Sequence, residues 1–437
     1  MGTAHILLAT LLISFFGVRG NVFSLERAFP SRHPIRLDEL RARDLSRHAH
    51  VFKTVVGGLI NVTVVYEDYY GHPQHIGVYV TKVKIGSSPR EFYVLLDTGS
   101  DLFWVSCSSC SNCPRFTDLG TRFSFYDIVN SSTGGVLPCS HAMCGKCSRQ
   151  SHRCEYDMTY SGGDRITSFL VSDVLHLDTI PVRSYVALES SAPIVFGCTT
   201  SVSGLLAGTR ASVNGIFGFS QGPMSVLSQL SSQGMTPSVF SHCLKGDDYG
   251  GGILILGDIL EPSIVYTPLV PKRPYYAIYL QSIAVNGKIL PIDPAAFKVS
   301  RGRGTVVDSG TILAYLIEEL YEPFIRAITL ASSKHVTPVV STSGNQCYRT
   351  SISKSEAFPS VSLNFAGGVS MVLKPREYLI DGGYYKGLPS WCMGFLKAHK
   401  RLNILGDLLL RDKIVVYDIV GQQLGWANFN SDNSPRV

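Results

Sequence analysis

The chain has 437 residues, of which 45% are hydrophobic and 16% are charged. This composition excludes an intrinsically disordered chain, and the length is too great for one ordinary domain of roughly 100–200 residues. The formal net charge of +6 is spread along the sequence, which argues against nucleic-acid binding, because that activity needs a concentrated basic face. The apolar runs are short and rich in Val, Ile, Tyr and Phe, so strands are favoured over helices.

The first twenty residues have the features of a secretory signal. Ile6–Phe16 is an apolar run of 11 residues, too short to cross a bilayer, and small residues follow it near Gly20. We predict a signal peptide over residues 1–20 and no transmembrane anchor after its removal; a retained N-terminal anchor is the alternative. The sequons at Asn61 and Asn130 predict N-glycosylation, which agrees with secretion.

Residues 21–70 are predicted to form a removable pro-segment. Arginines punctuate this stretch from Arg27 to Arg47, and Leu37–His50 has helical character. Positive charges of this kind suit a segment that covers an acidic cleft. A solvated helix that stays in the mature protein is the alternative.

Strands dominate the rest of the chain. The first predicted strand lies within Gly77–Gly86, where apolar residues alternate with period 2, and Phe92–Leu96 is the second. In this part of the chain, helices are predicted only at Pro223–Gln233, with the proline in the first turn, and at Ile317–Leu330.

An internal duplication predicts two lobes. One apolar run ends in Asp97-Thr-Gly-Ser and another ends in Asp308-Ser-Gly-Thr. Each is followed downstream by an apolar segment with glycine, Gly215-Ile-Phe-Gly-Phe in the first half and Asn403-Ile-Leu-Gly-Asp in the second. We predict an N-terminal lobe over residues 71–265 and a similar C-terminal lobe over residues 266–437.

The two aspartates are the candidate catalytic residues. If the lobes pack about a pseudo-two-fold axis, the carboxylates of Asp97 and Asp308 face each other and share one proton. The ionised carboxylate then takes a proton from water while the protonated one donates to the substrate carbonyl oxygen. Flanking hydroxyls can hold the outer carboxylate oxygens, and flanking glycines permit close approach of the loops. These supporting residues are Thr98, Gly99, Ser100, Ser309, Gly310 and Thr311.

With these motifs the chain resembles the pepsin-like (A1-type) aspartic proteases, and its cysteine pattern resembles their plant nepenthesin-like branch. The resemblance covers roughly residues 75–430. It implies a mostly β, bilobal pepsin-like fold, with two pseudo-symmetric β lobes and a central cleft. It also implies an aspartic-type endopeptidase that cuts protein or peptide substrates at acidic pH, with no cofactor and no metal. The shared proton is an established property of such dyads.

The resemblance gives roles to two aromatic residues. Trp104 follows Asp97 as in the family, and Tyr160 falls where the family carries the tyrosine of a flap, a hairpin that closes over substrate and is predicted here over residues 155–173. The usual Tyr-Gly-Asp-Gly-Ser is replaced by Tyr160-Ser-Gly-Gly-Asp-Arg165, a departure that bears on subsite preference and catalytic strength more than on reaction type. A packed strand tyrosine is the alternative for Tyr160.

Eleven cysteines fit an oxidising compartment, and the odd count leaves at least one unpaired. Their spacing at Cys107-x2-Cys110-x2-Cys113 and Cys144-x2-Cys147 also fits a metal site, although a secretory signal favours disulfides. The nepenthesin-like resemblance implies five bonds, four of them at a Cys-rich insertion over residues 107–154: Cys107–Cys110, Cys113–Cys198, Cys139–Cys154, Cys144–Cys147 and Cys347–Cys392. Cys243 is left as a buried thiol, with an intermolecular bridge as the alternative.

A serine hydrolase is the first rival hypothesis. Gly218-Phe-Ser220-Gln-Gly222 matches the nucleophile-elbow pattern, and Asp258 or Asp308 and His335 or His399 follow in the right order. That elbow belongs to a fold of repeated βα units, whereas this chain is mainly strands, so a turn before a helix is the favoured interpretation.

A binding protein is the second rival. Plant inhibitors of cell-wall-degrading enzymes resemble this family but lack a working dyad, and fold does not fix function. Two intact Asp loops favour catalysis here, while the altered flap favours binding. We further expect a monomer in the secretory pathway, located in the apoplast or alternatively in the vacuole, with no nucleic-acid partner.

Overall fold

The computed structural model describes residues 20–27, 79–116, 122–160, 164–179, 188–208, 213–246, 251–257, 259, 261–341 and 345–429. The predicted signal peptide up to residue 19, most of the predicted pro-segment with Asn61, and the flap tip at 161–163 lie outside the described residues. Among the described residues, no helix is long and apolar enough to span a membrane.

The described residues form 27 strands. They are β1 Gly20–Arg27, β2 Tyr79–Ile85, β3 Arg90–Asp97, β4 Trp104–Ser106, β5 Gly135–Val136, β6 Glu155–Thr159, β7 Arg165–Thr179, β8 Leu188–Val202, β9 Gly215–Gly218, β10 Val239–Leu244, β11 Gly252–Gly257, β12 Val265–Pro268, β13 Ala277–Ile278, β14 Leu280–Val285, β15 Lys288–Ile289, β16 Gly304–Val307, β17 Ala314–Leu316, β18 Thr337–Val340, β19 Gln346–Arg349, β20 Val361–Phe365, β21 Val369–Leu373, β22 Leu379–Tyr385, β23 Leu388–Met393, β24 Phe395–Lys397, β25 Leu402–Leu405, β26 Lys413–Asp418 and β27 Gln423–Asn428. The mostly β prediction is confirmed.

The α-helices among the described residues are few and mostly short. They are Val226–Ser231, Glu318–Ser332, Lys354–Ala357, Pro375–Tyr378 and Asp407–Leu410, and 3-10 turns occupy Ile128–Asn130, Gly204–Ala207 and Pro294–Phe297. The first helix begins at Val226 rather than near Pro223, because the Ser225 hydroxyl accepts a hydrogen bond from the Ser228 N–H at 3.1 Å and caps it there. The second spans nearly the predicted residues and buries Leu320, Phe324 and Ile328 along one face.

A 14-stranded sheet runs through both lobes in the order β12-β27-β26-β10-β11-β1-β2-β3-β9-β4-β8-β7-β5, with β6 paired to β7. The lobes meet where β10 pairs antiparallel with β26, from Val239 opposite Asp418 to Cys243 opposite Ile414. The second lobe adds a five-stranded sheet, β13-β16-β25-β17-β24, and two four-stranded sheets, β15-β14-β20-β21 and β18-β19-β23-β22.

The two copies of the predicted duplication have the same arrangement of strands, one in each lobe. In the first lobe β9 runs parallel to β3 and antiparallel to β4, and β4 runs parallel to β8. In the second lobe β25 runs parallel to β16 and antiparallel to β17, and β17 runs parallel to β24. The two apolar–glycine segments singled out in the sequence therefore occupy matching central strands, β9 and β25.

The strand β1 lies in the predicted pro-segment. Its backbone pairs antiparallel with β11, from Gly20 opposite Gly257 to Leu25 opposite Gly252, and then with the first residues of β2. This part of the predicted pro-segment is thus an inner strand of the large sheet.

Four of the five predicted disulfide pairings are wrong, although all ten cysteines are paired. Two of the observed bonds are Cys107–Cys198 and Cys110–Cys113, with Cα–Cα distances of 5.3 and 5.7 Å. The reason is strand register: β4 lies beside β8 with Val105 opposite Cys198, and the Cys107 N–H donates to the Thr199 carbonyl at 3.0 Å. This register brings Cys107, not Cys113, next to Cys198.

The pairing is also exchanged in the second half of the insertion, where the bonds are Cys139–Cys147 and Cys144–Cys154. The Glu155 N–H donates to the Lys146 carbonyl at 2.8 Å, so the chain folds back on itself beside all four sulfurs. Spacing alone does not distinguish pairings in such a cluster. The Cys347–Cys392 prediction is confirmed, because these residues lie opposite each other in β19 and β23.

The eleventh cysteine, Cys243, is free and buried on β10. Burial raises the pKa of its thiol to about 12, so the reactive thiolate is disfavoured at ordinary pH. The prediction of a buried thiol is confirmed.

Candidate active site

Two matched strands each deliver an aspartate to the junction of the lobes. Asp97 is the last residue of β3 and lies opposite Gly218 of β9, and Asp308 directly follows β16. Both side chains are buried, with 1% and 3% of their surface exposed. A buried carboxylate needs partners, because removing it from water is costly.

Each carboxylate is held by its own loop in the same way. One oxygen of Asp97 accepts from the Gly99 N–H at 2.9 Å, and the other accepts from the Ser100 hydroxyl. In the second lobe the Gly310 N–H donates to Asp308 Oδ1 at 2.9 Å, and the Thr311 hydroxyl donates to Oδ2 at 2.5 Å. The predicted supporting hydroxyls thus lie where they fix the orientation of both carboxylates.

The two loops are also bonded to each other across the pseudo-two-fold axis. The Thr98 hydroxyl accepts from the Ser309 N–H at 2.9 Å, and the Ser309 hydroxyl accepts from the Thr98 N–H at 3.2 Å. Each hydroxyl then donates to a carbonyl of the opposite lobe, Thr98 to Val307 at 3.4 Å and Ser309 to Leu96 at 3.0 Å. This reciprocal lock fixes the position of one carboxylate relative to the other.

Glycine is required where the loops approach most closely. A β-carbon on Gly99 would lie 2.6 Å from Asp308 Oδ1, so any larger residue would push the two loops apart. Glycine is also required behind the loops. A β-carbon on Gly218, in β9, would lie 2.6 Å from the Asp101 carbonyl oxygen, and one on Gly406, directly after β25, would lie 2.2 Å from the Leu313 carbonyl oxygen.

The predicted flap is a hairpin of β6 and β7. Glu155 lies opposite Phe169 and Thr159 opposite Arg165, and the Tyr160 N–H donates to the Asp164 carbonyl at 2.7 Å. The Tyr160 side chain is buried, and its hydroxyl accepts from the Trp104 Nε1–H at 3.1 Å. The two aromatic residues that the family resemblance singled out are therefore in direct contact. The altered tip, Ser161–Gly163, lies outside the described residues.

The Cys-rich insertion contacts the predicted flap through ion pairs. Lys146, between two of the disulfide cysteines, contacts Asp157 Oδ2 at 2.5 Å and Glu155 Oε2 at 3.2 Å, both on β6. Arg165, at the start of β7, lies 3.4 Å from Asp157. The hydrogen bond from Lys146 is the largest cause of the lowered pKa of Asp157, so this pair stays charged into the acidic range.

Sequence reasoning missed a third carboxylate beside the dyad. Asp101 is buried, and its Oδ1 lies 3.4 Å from the hydroxyl of Tyr156 on the flap strand β6. Burial and this carboxylate raise the pKa of Tyr156 far above its usual value. The residue directly follows the Asp-Thr-Gly-Ser motif, and this position was the signal that could have identified it.

An aromatic cluster where β10 pairs with β26 was also missed. Phe240 of β10 stacks on Tyr417 of β26 with ring centroids 4.4 Å apart, and Tyr276 packs edge-on against Tyr417 at 4.6 Å. His242 is buried in the same layer, with its Nε2 atom 3.0 Å from the Tyr417 hydroxyl. These residues sit on strands far apart in the sequence, so no motif marked them.

The serine-hydrolase hypothesis is not supported. Ser220 is buried between β9 and the helix Val226–Ser231, with its N–H donating to the Ser100 carbonyl at 2.9 Å, while His335 and His399 are both exposed. Asp258 lies outside the described residues. Ser220 belongs to the turn that leads into the helix, which was the favoured interpretation.

A two-lobed β protein in which two matched loops are hydrogen-bonded to each other and each carry a buried aspartate belongs to the class of pepsin-fold proteins. The family model described as Xylanase inhibitor N-terminal matches residues 79–258, and the one described as Xylanase inhibitor C-terminal matches residues 275–428. The chain is a member of the pepsin-like aspartic proteinase family, in the part of it that includes plant aspartic proteinases.

Named relatives agree with this membership. Aspartic proteinase 36 of Arabidopsis thaliana is 33% identical over 432 residues, which cover 96% of this chain and 86% of that protein. Aspartic proteinase 39 of the same plant is 32% identical and covers 98% of this chain and 88% of that protein. Aspartic proteinase nepenthesin-1 of Nepenthes gracilis is 27% identical over 373 residues, with 80% and 78% covered.

Two solved structures share the fold. The crystal structure of EDGP aligns with a TM-score of 0.64 at 18% identity, over 81% of this chain and 92% of that one. Basic 7S globulin from soybean aligns with a TM-score of 0.62, also at 18% identity, over 80% and 93%. At this identity the likeness supports the fold alone, and the predicted bilobal pepsin-like fold is confirmed.

Proposed function

We propose that this protein is an aspartic endopeptidase that hydrolyses peptide bonds in protein or peptide substrates. The observation that carries the proposal is the pair of buried aspartates, Asp97 and Asp308, each oriented by a glycine N–H and a Ser or Thr hydroxyl of its own loop. The relatives named aspartic proteinases support the same reaction class.

The proposed mechanism uses one water molecule between the carboxylates. In this mechanism the two carboxylates share a proton, as in known aspartic-protease dyads. The ionised member removes a proton from water as the water oxygen attacks the peptide carbonyl carbon, and the protonated member donates to the carbonyl oxygen. The C–N bond then breaks: the newly protonated carboxyl gives its proton to the leaving amine, and a hydroxyl of the diol intermediate gives one to the other carboxylate, which restores the shared-proton state.

This mechanism requires an acidic working pH, because one carboxylate must stay protonated. The flap supports it by covering the cleft, and the Trp104–Tyr160 hydrogen bond holds the flap tyrosine in place. Exclusion of bulk water strengthens the polar contacts that stabilise the transition state.

Substitution of either aspartate tests the proposal. Asp97→Asn and Asp308→Asn should each abolish cleavage of an unfolded protein at acidic pH, and pepstatin should inhibit the unmodified protein. Asp173→Asn is a matched control: Asp173 is a buried carboxylate of the first lobe, bonded to the Tyr126 hydroxyl at 2.7 Å, but it lies on β7 outside the dyad loops. Activity that survives either dyad variant at more than a few per cent would reject the mechanism.

A non-catalytic binding protein is the second candidate. It is favoured by the matching family models, whose descriptions are of xylanase inhibitors. Correctly folded protein that binds a plant cell-wall-degrading enzyme but cleaves no unfolded substrate between pH 3 and pH 7 would favour this function. Pepstatin-sensitive turnover would favour the protease.

We also propose that the protein works in the secretory pathway, outside the cell in the apoplast or in the vacuole. Five disulfides fit an oxidising compartment, and Asn130 of the second sequon is exposed, at the end of a 3-10 turn. The glycosylation of Asn130 and Asn61, the removal of a signal peptide and the suppression of activity by the segment 21–70 are parts of this proposal. Mass and N-terminal analysis of secreted protein tests glycosylation and removal of the signal peptide. Activity measured with and without the segment 21–70 tests suppression, and equal activity would reject it.

A further inference from the structure

The buried carboxylate of Asp101 lies between the predicted flap and the turn that follows β9. Its Oδ1 atom accepts a hydrogen bond from the Tyr156 hydroxyl on β6 at 3.4 Å, and 6% of the residue is exposed. The other carboxylate oxygen faces Gly222, where a β-carbon would lie 2.4 Å from Asp101 Oδ2. Since Asp101 directly follows the Asp97-Thr-Gly-Ser motif, a residue next to a loop of the dyad contacts both the flap and this turn.

The turn beside Asp101 is bonded to both lobes. The Ser220 N–H donates to the Ser100 carbonyl at 2.9 Å, in the loop of the first aspartate. The Gln221 N–H donates to the Pro274 carbonyl at 2.9 Å, in the second lobe. Asp101 therefore packs against a segment whose position is fixed at the junction of the lobes.

The flap hairpin has two polar contacts with the segment that follows the first aspartate motif. Near its tip, the Tyr160 hydroxyl accepts from the Trp104 Nε1–H at 3.1 Å. Earlier in the chain, the Tyr156 hydroxyl donates to Asp101. Residues i and i+4 of an extended strand lie on the same face, so both tyrosines point to the same side of the hairpin. A hairpin held at one point can pivot about it, whereas two contacts along its strand fix its angle.

The contact of Tyr156 with Asp101 differs from the contact on the outer face of β6. Burial and the charge of Asp101 raise the pKa of Tyr156 far above its usual value, so the hydroxyl stays a donor at every ordinary pH. Loss of this donor would leave a buried carboxylate with one partner fewer, which is costly away from water. On the outer face, Lys146 pairs with Glu155 and Asp157 in contact with solvent, where salt screens the attraction.

We propose that Asp101 and Tyr156 are positioning residues that set the angle of the flap over a bound peptide. The proposal rests on the proposed protease function, and neither residue is assigned a part in the proton transfers. Without their contact the flap pivots, and only a fraction of the molecules hold it at the angle that binds substrate. The apparent affinity falls by that fraction, while the two aspartates keep the N–H and hydroxyl partners of their own loops.

Tyr156→Phe is the first test, because it removes one hydroxyl and keeps the aromatic ring. We expect KM for a peptide substrate to rise about fivefold, a loss typical of one hydrogen bond, with kcat within about twofold of the unmodified value. A rise in KM at constant kcat indicates the loss of an interaction that is equal in the ground state and the transition state. A general loss of structure would lower kcat as well.

Tyr126→Phe is the matched control. Tyr126 is also a tyrosine of the first lobe whose hydroxyl donates to a buried carboxylate, Asp173 Oδ2, at 2.7 Å. Asp173 lies on β7 beyond the stretch Arg165–Phe169 that pairs with β6, so this contact does not hold the flap strand. The KM of Tyr126→Phe should therefore match that of the unmodified protein.

Hydrogen exchange measures the attachment of the flap without any substrate. In Tyr156→Phe the backbone amides of β6 should exchange about fivefold faster than in the unmodified protein, because a weaker contact makes local opening more frequent. In Tyr126→Phe their exchange should be unchanged. This measurement needs no turnover, so it tests the contact independently of the protease function.

Two substitutions at Asp101 give an independent test. Asp101→Leu keeps the branched shape but removes the acceptor, and it should raise KM as much as Tyr156→Phe does. Asp101→Asn keeps an amide oxygen that can accept from the phenol, and it should raise KM by less than about twofold. The double variant Asp101→Leu with Tyr156→Phe should be no worse than either single one, because both remove the same contact.

The outcomes separate the two proposals. Unmodified protein without pepstatin-sensitive cleavage rejects the protease function itself, whatever the exchange of β6. In an active protein, a Tyr156→Phe variant whose KM or β6 exchange changes no more than that of Tyr126→Phe overturns the positioning role alone. If circular dichroism shows that Tyr156→Phe is unfolded, the Asp101 variants decide, and equal KM values for Asp101→Leu and Asp101→Asn overturn it.

Discussion

Gly99 of the first lobe lies directly against the carboxylate of Asp308 in the second, so that a β-carbon at this glycine would come within 2.6 Å of Asp308 Oδ1. The two aspartate loops are therefore packed so closely that no side chain larger than hydrogen fits at Gly99. They are also hydrogen-bonded to each other through Thr98 and Ser309.

We expect Gly99→Ala to abolish proteolysis and to lower the free energy of unfolding by about 1–3 kcal/mol, because the added methyl group overpacks the junction of the loops. Thermal unfolding and cleavage of an unfolded protein at acidic pH measure the two effects. Gly135→Ala is the control, since a β-carbon there meets no atom within 4 Å. Full activity in the Gly99 variant would show that the lobes need not approach so closely for catalysis.

The charged contact between the Cys-rich insertion and the flap should affect substrate binding. Lys146 lies within 3.2 Å of carboxylates on β6, and its removal frees the outer face of the flap hairpin. We expect Lys146→Met to raise KM by about twofold to threefold, a size typical of an exposed ion pair, with kcat little changed. Added salt should weaken the same contact in the unmodified protein and narrow the difference between the two.

Lys397→Met provides the matched comparison for that variant. Lys397 also lies between two carboxylates, those of Glu318 at 3.1 Å and Glu322 at 2.6 Å, but these belong to the long helix of the second lobe. The Lys397→Met substitution should therefore leave KM unchanged. Equal effects of the two lysine substitutions would mean that the insertion does not restrain the flap.

His242 should limit the stability of the protein in acid. Burial lowers the pKa of its imidazole from 6.5 to about 3 in the folded state, so below pH 6.5 the unfolded chain binds a proton that the folded chain does not. The free energy of unfolding therefore keeps its full value above pH 6.5. It falls as the pH is lowered from 6.5 toward 3, by on the order of 4 kcal/mol in total.

Melting curves of His242→Gln and of the unmodified protein at pH 7 and pH 3.5 measure this loss. The melting temperature of His242→Gln should fall less between pH 7 and pH 3.5 than that of the unmodified protein, because glutamine does not titrate. His335→Gln, at an exposed position, should behave like the unmodified protein. An identical acid-induced fall in all three proteins would show that His242 is not the group responsible.

Much of this site could be read from the chain because its signals are local. The apolar runs that end in Asp97 and Asp308 form β3 and β16, and each motif supplies its own N–H and hydroxyl to its own carboxylate within three residues. The duplication was visible for the same reason, since each copy repeats a short pattern. The flap tyrosine and Trp104 followed from the family resemblance, and their contact is present.

The sequence by itself determined where the aspartate motifs lie, which segments form strands and which cysteines form disulfides. Those properties depend on a residue and its near neighbours. The tertiary structure alone decided which cysteines pair, that Gly99 meets Asp308, and that His242 contacts Tyr417. Those relationships depend on the register of β4 against β8 and of β10 against β26, strands that are distant in the chain. Register is set by packing over a whole sheet face, so no short stretch of sequence contains it.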